Sequence, residues 1–383
     1  MLDGAQLSLL MGQGYARPVP PVVASSLVEA QVTNAVGQRS GFQLTFSTSA
    51  SSPLTRELMP SGFFDPPTRV QIVLTLNGAA RVLMDGVVSR HDVTPGEQPG
   101  SGRITVTGLD LSQLMDLVDL SGLPLPAMPH FAQVGLILAK YLVLGVVPLV
   151  VPGVLTDVPI PTQRIPAQQG TDYAHVTRLA EENGYVFYVD PGPTPGVSTA
   201  YWGPAVRTGP LQRALTVGMD AATNVESLSF SFDGIGKTLY ILLVQEPNTR
   251  FPIPVPIPDV TPLSPPLGSR PPVPLSFKPV NRGENQGTDS TAGRRGLLGA
   301  AIRGLARASE SANVITASGS LDVRRYGAVL LPRQLVGVRG AGFAYDGPYF
   351  VKSVTTSMKP GEVKQRFSLT RNAHDPLSSE VPV

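Results

Sequence analysis

The sequence predicts a mainly β protein in which two similar antiparallel β-domains are separated by a mixed α/β unit. Three observations lead there. Gly and Pro number 39 each in 383 residues, which suits many short strands joined by turns. Arg69 to Asn77 alternates, with Val70, Ile72, Leu74 and Leu76 on one face and Arg69, Gln71, Thr75 and Asn77 on the other. Finally, a set of strand and turn landmarks recurs in the same order about 260 residues further along the chain. At roughly 100–200 residues per domain, the length fits two or three domains.

Composition removes several classes of function. Apolar residues make up 42%, enough for real cores, and charged residues only 15%. There is no cysteine, which excludes disulfides, thiolate nucleophiles and Cys-containing zinc sites. His91, His130, His175 and His374 are too scattered for a local metal motif, so no metal or cofactor is expected. A net charge of +2 gives no electrostatic case for specific nucleic-acid binding. The start, Met1-Leu2-Asp3-Gly4, lacks the basic and apolar regions of a secretory signal, so synthesis in the cytoplasm is expected. Phe131 to Val151 carries a single charge, Lys140, but Gly145 and Pro148 break it. It reads as a buried helix followed by a strand, with no stable membrane insertion.

The first 120 residues read as strands. Asn77-Gly78 supplies a two-residue hairpin turn, Val82 to Val93 returns as the partner strand, and Arg103 to Thr107 alternates again. Asp110 is placed to cap a short helix, with Gln113 completing a capping-box pattern. In the middle, Phe131 to Leu144 reads as helical. Asp172 to Asn183 reads as a second helix, capped by Thr171 or Asp172 and stopped by Gly184. Tyr185 to Val189, Ser227 to Phe232 and Thr238 to Val244 are strand candidates.

From Pro247 to Pro279 twelve of 33 residues are Pro, and every second residue from Phe251 to Pro258 is Pro. Such a segment lacks donors along one edge, which predicts an extended edge or surface strand. Asn281 to Thr291 is polar and Gly-rich and reads as mobile. Gly293 to Ser311 reads as a basic amphipathic helix, either a membrane or nucleic-acid helix or a connecting helix with one solvated face.

The internal repeat rests on turn residues. Asp85-Gly86, then a strand, Pro95-Gly96-Glu97 and Arg103–Thr107 are matched by Asp346-Gly347, then a strand, Pro360-Gly361-Glu362 and Val363–Thr370. Upstream, Arg69-Val70-Gln71-Ile72 is echoed by Arg333-Gln334-Leu335-Val336. Asp85, Gly86, Asp346 and Gly347 are therefore the structural site candidates, expected to form equivalent turns or bulges with positive φ at the glycines. The expected divisions are 1–122 and, for the second β-domain, 207–246 with 312–383. Between them lie a mixed unit at 123–206 and a Pro-rich extension, mobile loop and helix at 247–311.

Catalytic signatures are missing. Gly234-Ile235-Gly236-Lys237 is too short for a phosphate loop, and no Gly-x-Ser-x-Gly elbow occurs. Glu181 and Glu182 point about 100° apart on a helix and cannot face one bond. Asp172 and His175 could touch, but no nucleophile completes a triad.

Leu179-Ala180-Glu181-Glu182-Asn183-Gly184-Tyr185-Val186-Phe187-Tyr188 resembles a helix-to-strand segment of phage late control protein D and its relatives. These include myophage baseplate hubs, the amino-terminal part of VgrG spikes and the hubs of extracellular contractile injection systems. Gln334-Leu335-Val336-Gly337-Val338, Gly347-Pro348-Tyr349-Phe350-Val351 and Arg366-Phe367-Ser368-Leu369-Thr370-Arg371 resemble strands near the end of the same family.

The resemblance spans about residue 20 to 373. It implies two tube-like barrels per chain, a homotrimer, and a non-enzymatic hub adapting a sixfold tail tube above to a threefold spike below. Wedge proteins of the baseplate would surround it, in a phage tail or injection particle. Because the sequence ends at Val383, soon after the second barrel, the spike is expected to be a separate trimeric protein. Two other functions stand beside this one: a membrane-perturbing tip protein, and a tail-associated cell-wall hydrolase.

Overall fold

The computed structural model describes residues 4–96, 101–125, 128–153, 167–245, 252–280 and 290–377. The first part of the chain forms β1 (Ala5–Gly12), β2 (Arg17–Pro18), a short helix α1 (Pro21–Ser26), β3 (Leu27–Ala35), β4 (Gly41–Thr48), β5 (Arg69–Leu76), β6 (Ala79–Thr94) and β7 (Gly102–Asp110). The middle forms α2 (His130–Ala139), β8 (Val146–Val150), α3 (Asp172–Glu182), β9 (Tyr185–Pro191) and β10 (Ser198–Pro204). β11 (Leu211–Thr216) and β12 (Ser227–Phe232) follow, then β13 (Thr238–Gln245), β14 (Pro252–Ile257), β15 (Ser276–Val280) and α4 (Ser290–Ser311). The chain closes with β16 (Ile315–Asp322), α5 (Val323–Tyr326), β17 (Leu335–Arg339), β18 (Gly347–Lys359) and β19 (Glu362–Arg371).

Thirteen of these strands form one sheet. Its first half pairs in the order β3-β4-β7-β6-β5-β1, and its second half in the order β12-β16-β19-β18-β17-β11. Strand for strand the two orders correspond, with one difference of direction: β1 is antiparallel to β5, whereas β11 is parallel to β17. The long strands β6 and β18 each carry a bulge, after Val88 and after Val351 respectively, opposite their partners β7 and β19. The halves are joined edge to edge, because β3 pairs with β18 from Ala35↔Ser353 to Ala30↔Met358. One core cluster accordingly includes residues of both halves, among them Val32, Phe46, Ile72, Phe367 and Leu369.

Aligning the bulges corrects the sequence landmarks. The counterpart of Gly86 is Tyr349, and the counterpart of Arg69 is Leu335, so both sequence matches are two residues out of step. Turn residues drift with loop length, whereas ladder bonds set strand register. Gly86 lies inside β6 without a left-handed φ, while Gly347 opens β18 at φ 125. The expectation of equivalent corners therefore fails.

Other local expectations hold. Asn77 (φ 50) and Gly78 (φ 83) make the β5–β6 hairpin turn. Thr171 caps α3, its hydroxyl accepting from Ala174 N–H. Phe131 to Val151 divides into α2, a 3-10 turn and β8, and among the described residues no helix is long and apolar enough to cross a membrane. Asp110 caps a 3-10 helix at Leu111–Asp116 by accepting from Ser112 N–H, but Gln113 completes no capping box: its Oε1 accepts from Arg39.

The alternation at β5 misleads, because Arg69 and Gln71 are buried along with the apolar face. The Pro-rich segment supplies β14, an edge strand whose outward positions Pro252, Pro254 and Pro256 alternate with Ile253 and Val255. α4 packs on this small sheet through Ala300, Ala308 and Leu305, as the connecting-helix reading expects. The polar stretch at 281–289 lies outside the described residues.

α2 and α3 pack around His175 in the middle unit. Gln169 N–H donates to its Nδ1 (3.1 Å), and its Nε2 lies 3.3 Å from Gln133 Oε1, so the neutral ring carries its hydrogen on Nε2. Burial, then the neighbouring Arg178 guanidinium, lower the His175 pKa to about 4. An unfolded histidine titrates near about 6.5. Protons therefore bind the unfolded chain first, and stability present above that pH is lost as pH falls toward 4. Thermal melts from pH 7 to 4 should show this decline, and His175→Gln should flatten it.

Candidate functional surface

Period-two alternation splits the large sheet into an apolar face and a polar face. In β3, Ala30 and Val32 enter the core while Gln31 and Thr33 point away; in β18, Val354 and Met358 enter while Ser353, Thr355 and Ser357 point away. Because β3 and β18 are in register, the polar face crosses from one half to the other without a break. One cross-strand row runs Lys364, Ser357, Gln31, Gln43, Thr107, Arg90. A second runs Ser227, Ser320, Arg366, Thr355, Thr33.

The hydroxyls satisfy one another. Thr33 and Thr355 are 3.2 Å apart across the seam, Ser227 and Ser320 are 2.9 Å apart, and Ser229 and Ser318 are 3.0 Å apart. Ser357 donates to Glu29 (2.7 Å). Some charges on or beside this face are also paired: Arg90 with Asp92, and Lys364 with both Glu226 and Glu362. Along these two rows the face presents hydroxyls, amides and charged groups and no apolar side chain. Among the described residues no group of His, Asp and Glu could hold a metal ion. A groove of about 790 Å³ lies between β1, α1 and the β18–β19 turn and is lined mainly by aliphatic groups such as Leu7, Leu27 and Met358.

The four predicted site residues lie elsewhere: Asp85 and Gly86 inside β6, and Asp346 and Gly347 where the turn at Gly342–Asp346 enters β18. The fully buried Asp85 carboxylate takes two hydrogen bonds from Arg69 (Nε 2.8 Å, Nη2 2.7 Å), one from Gln71 and one from Ser198 at the start of β10. Arg69 also donates to Gly196 O in the β9–β10 turn (3.3 Å). This cluster fastens the first half to the middle unit. Arg333, singled out as the echo of Arg69, fastens the second half to the same hairpin. It binds Asp190 of β9 (2.6 Å), donates to Ala35 O of β3 (3.1 Å) and stacks on the Tyr188 ring.

Asp346 Oδ1 accepts from Ala341 N–H, and its carbonyl accepts from the buried Arg371. Arg371 also donates to Leu267 O and Asp375 O, which ties the Pro-rich segment to the end of β19. Asn372 adds bonds to Leu267 N–H and Pro265 O. The polar face escaped the sequence reading, although the alternating Ser and Thr of 353–357 and the Ser of 227–231 carry its signal.

No protein-family model and no curated protein sequence matches the chain. Solved structures do. The tail protein of Neisseria meningitidis MC58 aligns over 96% of this chain and 97% of its own at 13% identity, TM-score 0.60. The 43 kDa tail protein of prophage MuSo2 from Shewanella oneidensis aligns over 97% and 100% at 18% identity, TM-score 0.60. A chain of the Francisella PdpA–VgrG complex aligns over all of this chain and 60% of its own at 8% identity, TM-score 0.55. The chain thus has the mainly β fold of phage tail proteins, shared with a VgrG complex, as the resemblance implied.

Breaking one buried partner leaves a charge unpaired. Asp85→Ala should cost about 3–5 kcal/mol, and Asp85→Ala with Arg69→Met should recover most of it in denaturant melts. Gly347→Val should cost about 1–3 kcal/mol because of its positive φ. Gly86 is intolerant for another reason, since an added Cβ would lie 2.2 Å from Leu109 O.

Proposed function

We propose that this chain is the structural hub of a contractile tail or injection-machine baseplate, in the manner of late control protein D. In this reading three copies form a ring that presents six like wall units to the tail tube and a threefold face to the spike. The observation that carries it is the polar face running unbroken over two halves of the same strand order. A threefold body docks evenly on a sixfold ring only if each chain offers two equivalent surfaces, and internal duplication supplies them.

The polar face lines the lumen, where hydroxyls and paired charges keep water in and let cargo pass. The partners are the tube protein, the spike and the surrounding wedge proteins, and the particle is where the chain resides. The work is geometric, without catalysis. Mass photometry of the purified protein, alone and with its spike, should show trimers; a dimer or hexamer as the assembled species would overturn the reading. A muralytic assay should show no cell-wall cleavage.

A further inference from the structure

The seam between the halves is a template for contacts that one chain leaves open. At the seam, β18 is flanked by β19 on one edge and β3 on the other. Its counterpart β6 has β7 on one edge, but β5 covers the other only as far as Val87. Among the described residues no strand pairs with the edge from Arg90 to Thr94. The counterpart of β3 is β12, which among the described residues pairs with β16 alone. The two open edges therefore belong to the same two strand types that meet at the seam.

Their chemistry fits pairing. Native proteins guard sheet edges with proline, charge or bulges. This chain does so at β14, with a proline at every second position. β12 reads Ser-Leu-Ser-Phe-Ser-Phe, with no proline and no charge. Val93 and Phe232 lie on the side of the sheet that is core elsewhere, yet they are 42% and 45% exposed.

Hydrogen-bond parity supplies an independent check. At the seam Val36 N–H donates to Lys352 O, so the bonded partners on β3 are the even-numbered residues Asn34, Val32 and Ala30. On β12, Asp233 N–H donates to Val314 O, which turns the amides of Phe232, Phe230 and Leu228 away from β16. By strand position these three are the counterparts of Asn34, Val32 and Ala30.

We infer that β12 of one copy pairs antiparallel with the Arg90–Thr94 edge of β6 in the next copy, in the register His91↔Phe232, Asp92↔Ser231, Val93↔Phe230. This rests on the ring reading above and names the strands that close the ring. Arg90 then faces Asp233, an opposite charge. The contact is head to tail, using different edges on the two copies, so it closes a ring rather than a twofold dimer. It carries the polar face on from chain to chain as the seam carries it within one.

The test uses the full chain, whose lack of cysteine gives a clean background. Residues directly opposite on antiparallel strands have Cβ atoms about 4.5–5.5 Å apart, near enough for oxidative crosslinking. Asp92→Cys with Ser231→Cys should yield a disulfide-linked ladder, absent after thiol treatment, that ends at three chains. Asp92→Cys with Phe230→Cys, whose second thiol points to the other face, should yield none, and neither should the single variants. A trimer by mass photometry with no Asp92–Ser231 crosslink overturns this inference and leaves the hub reading intact. Crosslinking by Ser231→Cys alone overturns it in favour of a twofold contact. A protein that is monomeric at every concentration, with and without spike, overturns both.

Discussion

The pairing of β3 with β18 is the constraint on which the rest of the molecule depends. Side chains alternate with a period of two, so a slip of one residue at this seam would send Val32 into water and Thr33 into the core. With one face buried in both halves, that slip is costly, and the register is held. The same register makes the outward face coherent. Thr33 meets Thr355, and Gln31 meets Ser357, only because both strands present the same parity. A shared core follows as a consequence, since two sheets fused at one edge fold over one continuous apolar surface.

The middle unit braces this seam. Arg69 and Arg333 reach it from opposite halves, and both end on the β9–β10 hairpin, at Gly196 and at Asp190. Arg333 also bonds Ala35, the residue at the start of the seam, so one side chain touches the first half, the middle unit and its own second half. The Pro-rich segment is a strap of similar purpose. Arg371 and Asn372 hold its carbonyls and one amide at residues 265–267, and Arg270 bridges to His374. Proline suits this role because it stiffens the strap and withholds donors from its free edge.

What could be read from the sequence was local. The Asn77-Gly78 turn, the Thr171 cap and the strand at Ser227–Phe232 follow from short-range chemistry, and so does the extended Pro-rich edge. The duplication was legible in outline because strand order survives, but its landmarks were turn residues, and these had drifted by two positions. Asp85 looked like a turn residue because it precedes glycine; burial beside Arg69 made it an ion-pair partner instead. Arg69 and Gln71, which alternate with the apolar face of β5, are buried for the same reason. The seam itself joins residues more than three hundred positions apart, and no local pattern encodes such a pairing. The hydroxyl-rich face was written in alternating Ser and Thr, a pattern that becomes meaningful only once several strands are known to lie side by side.

The halves match in their wall and differ outside it. β3 and β4 are joined by a short turn between Ala35 and Gly41, whereas the equivalent strands β12 and β16 are separated by the whole insert that carries β13, β14, β15 and α4. The middle unit likewise occurs once per chain. In the proposed ring, like wall units therefore come in sixes and unlike appendages in threes. At the seam, β3 and β18 are tied to one register by ladder bonds on both edges. The direction of the last strand, β1 against β11, shows where that tie ends. It is the last strand of the shared order in each half, and it is the one whose direction differs.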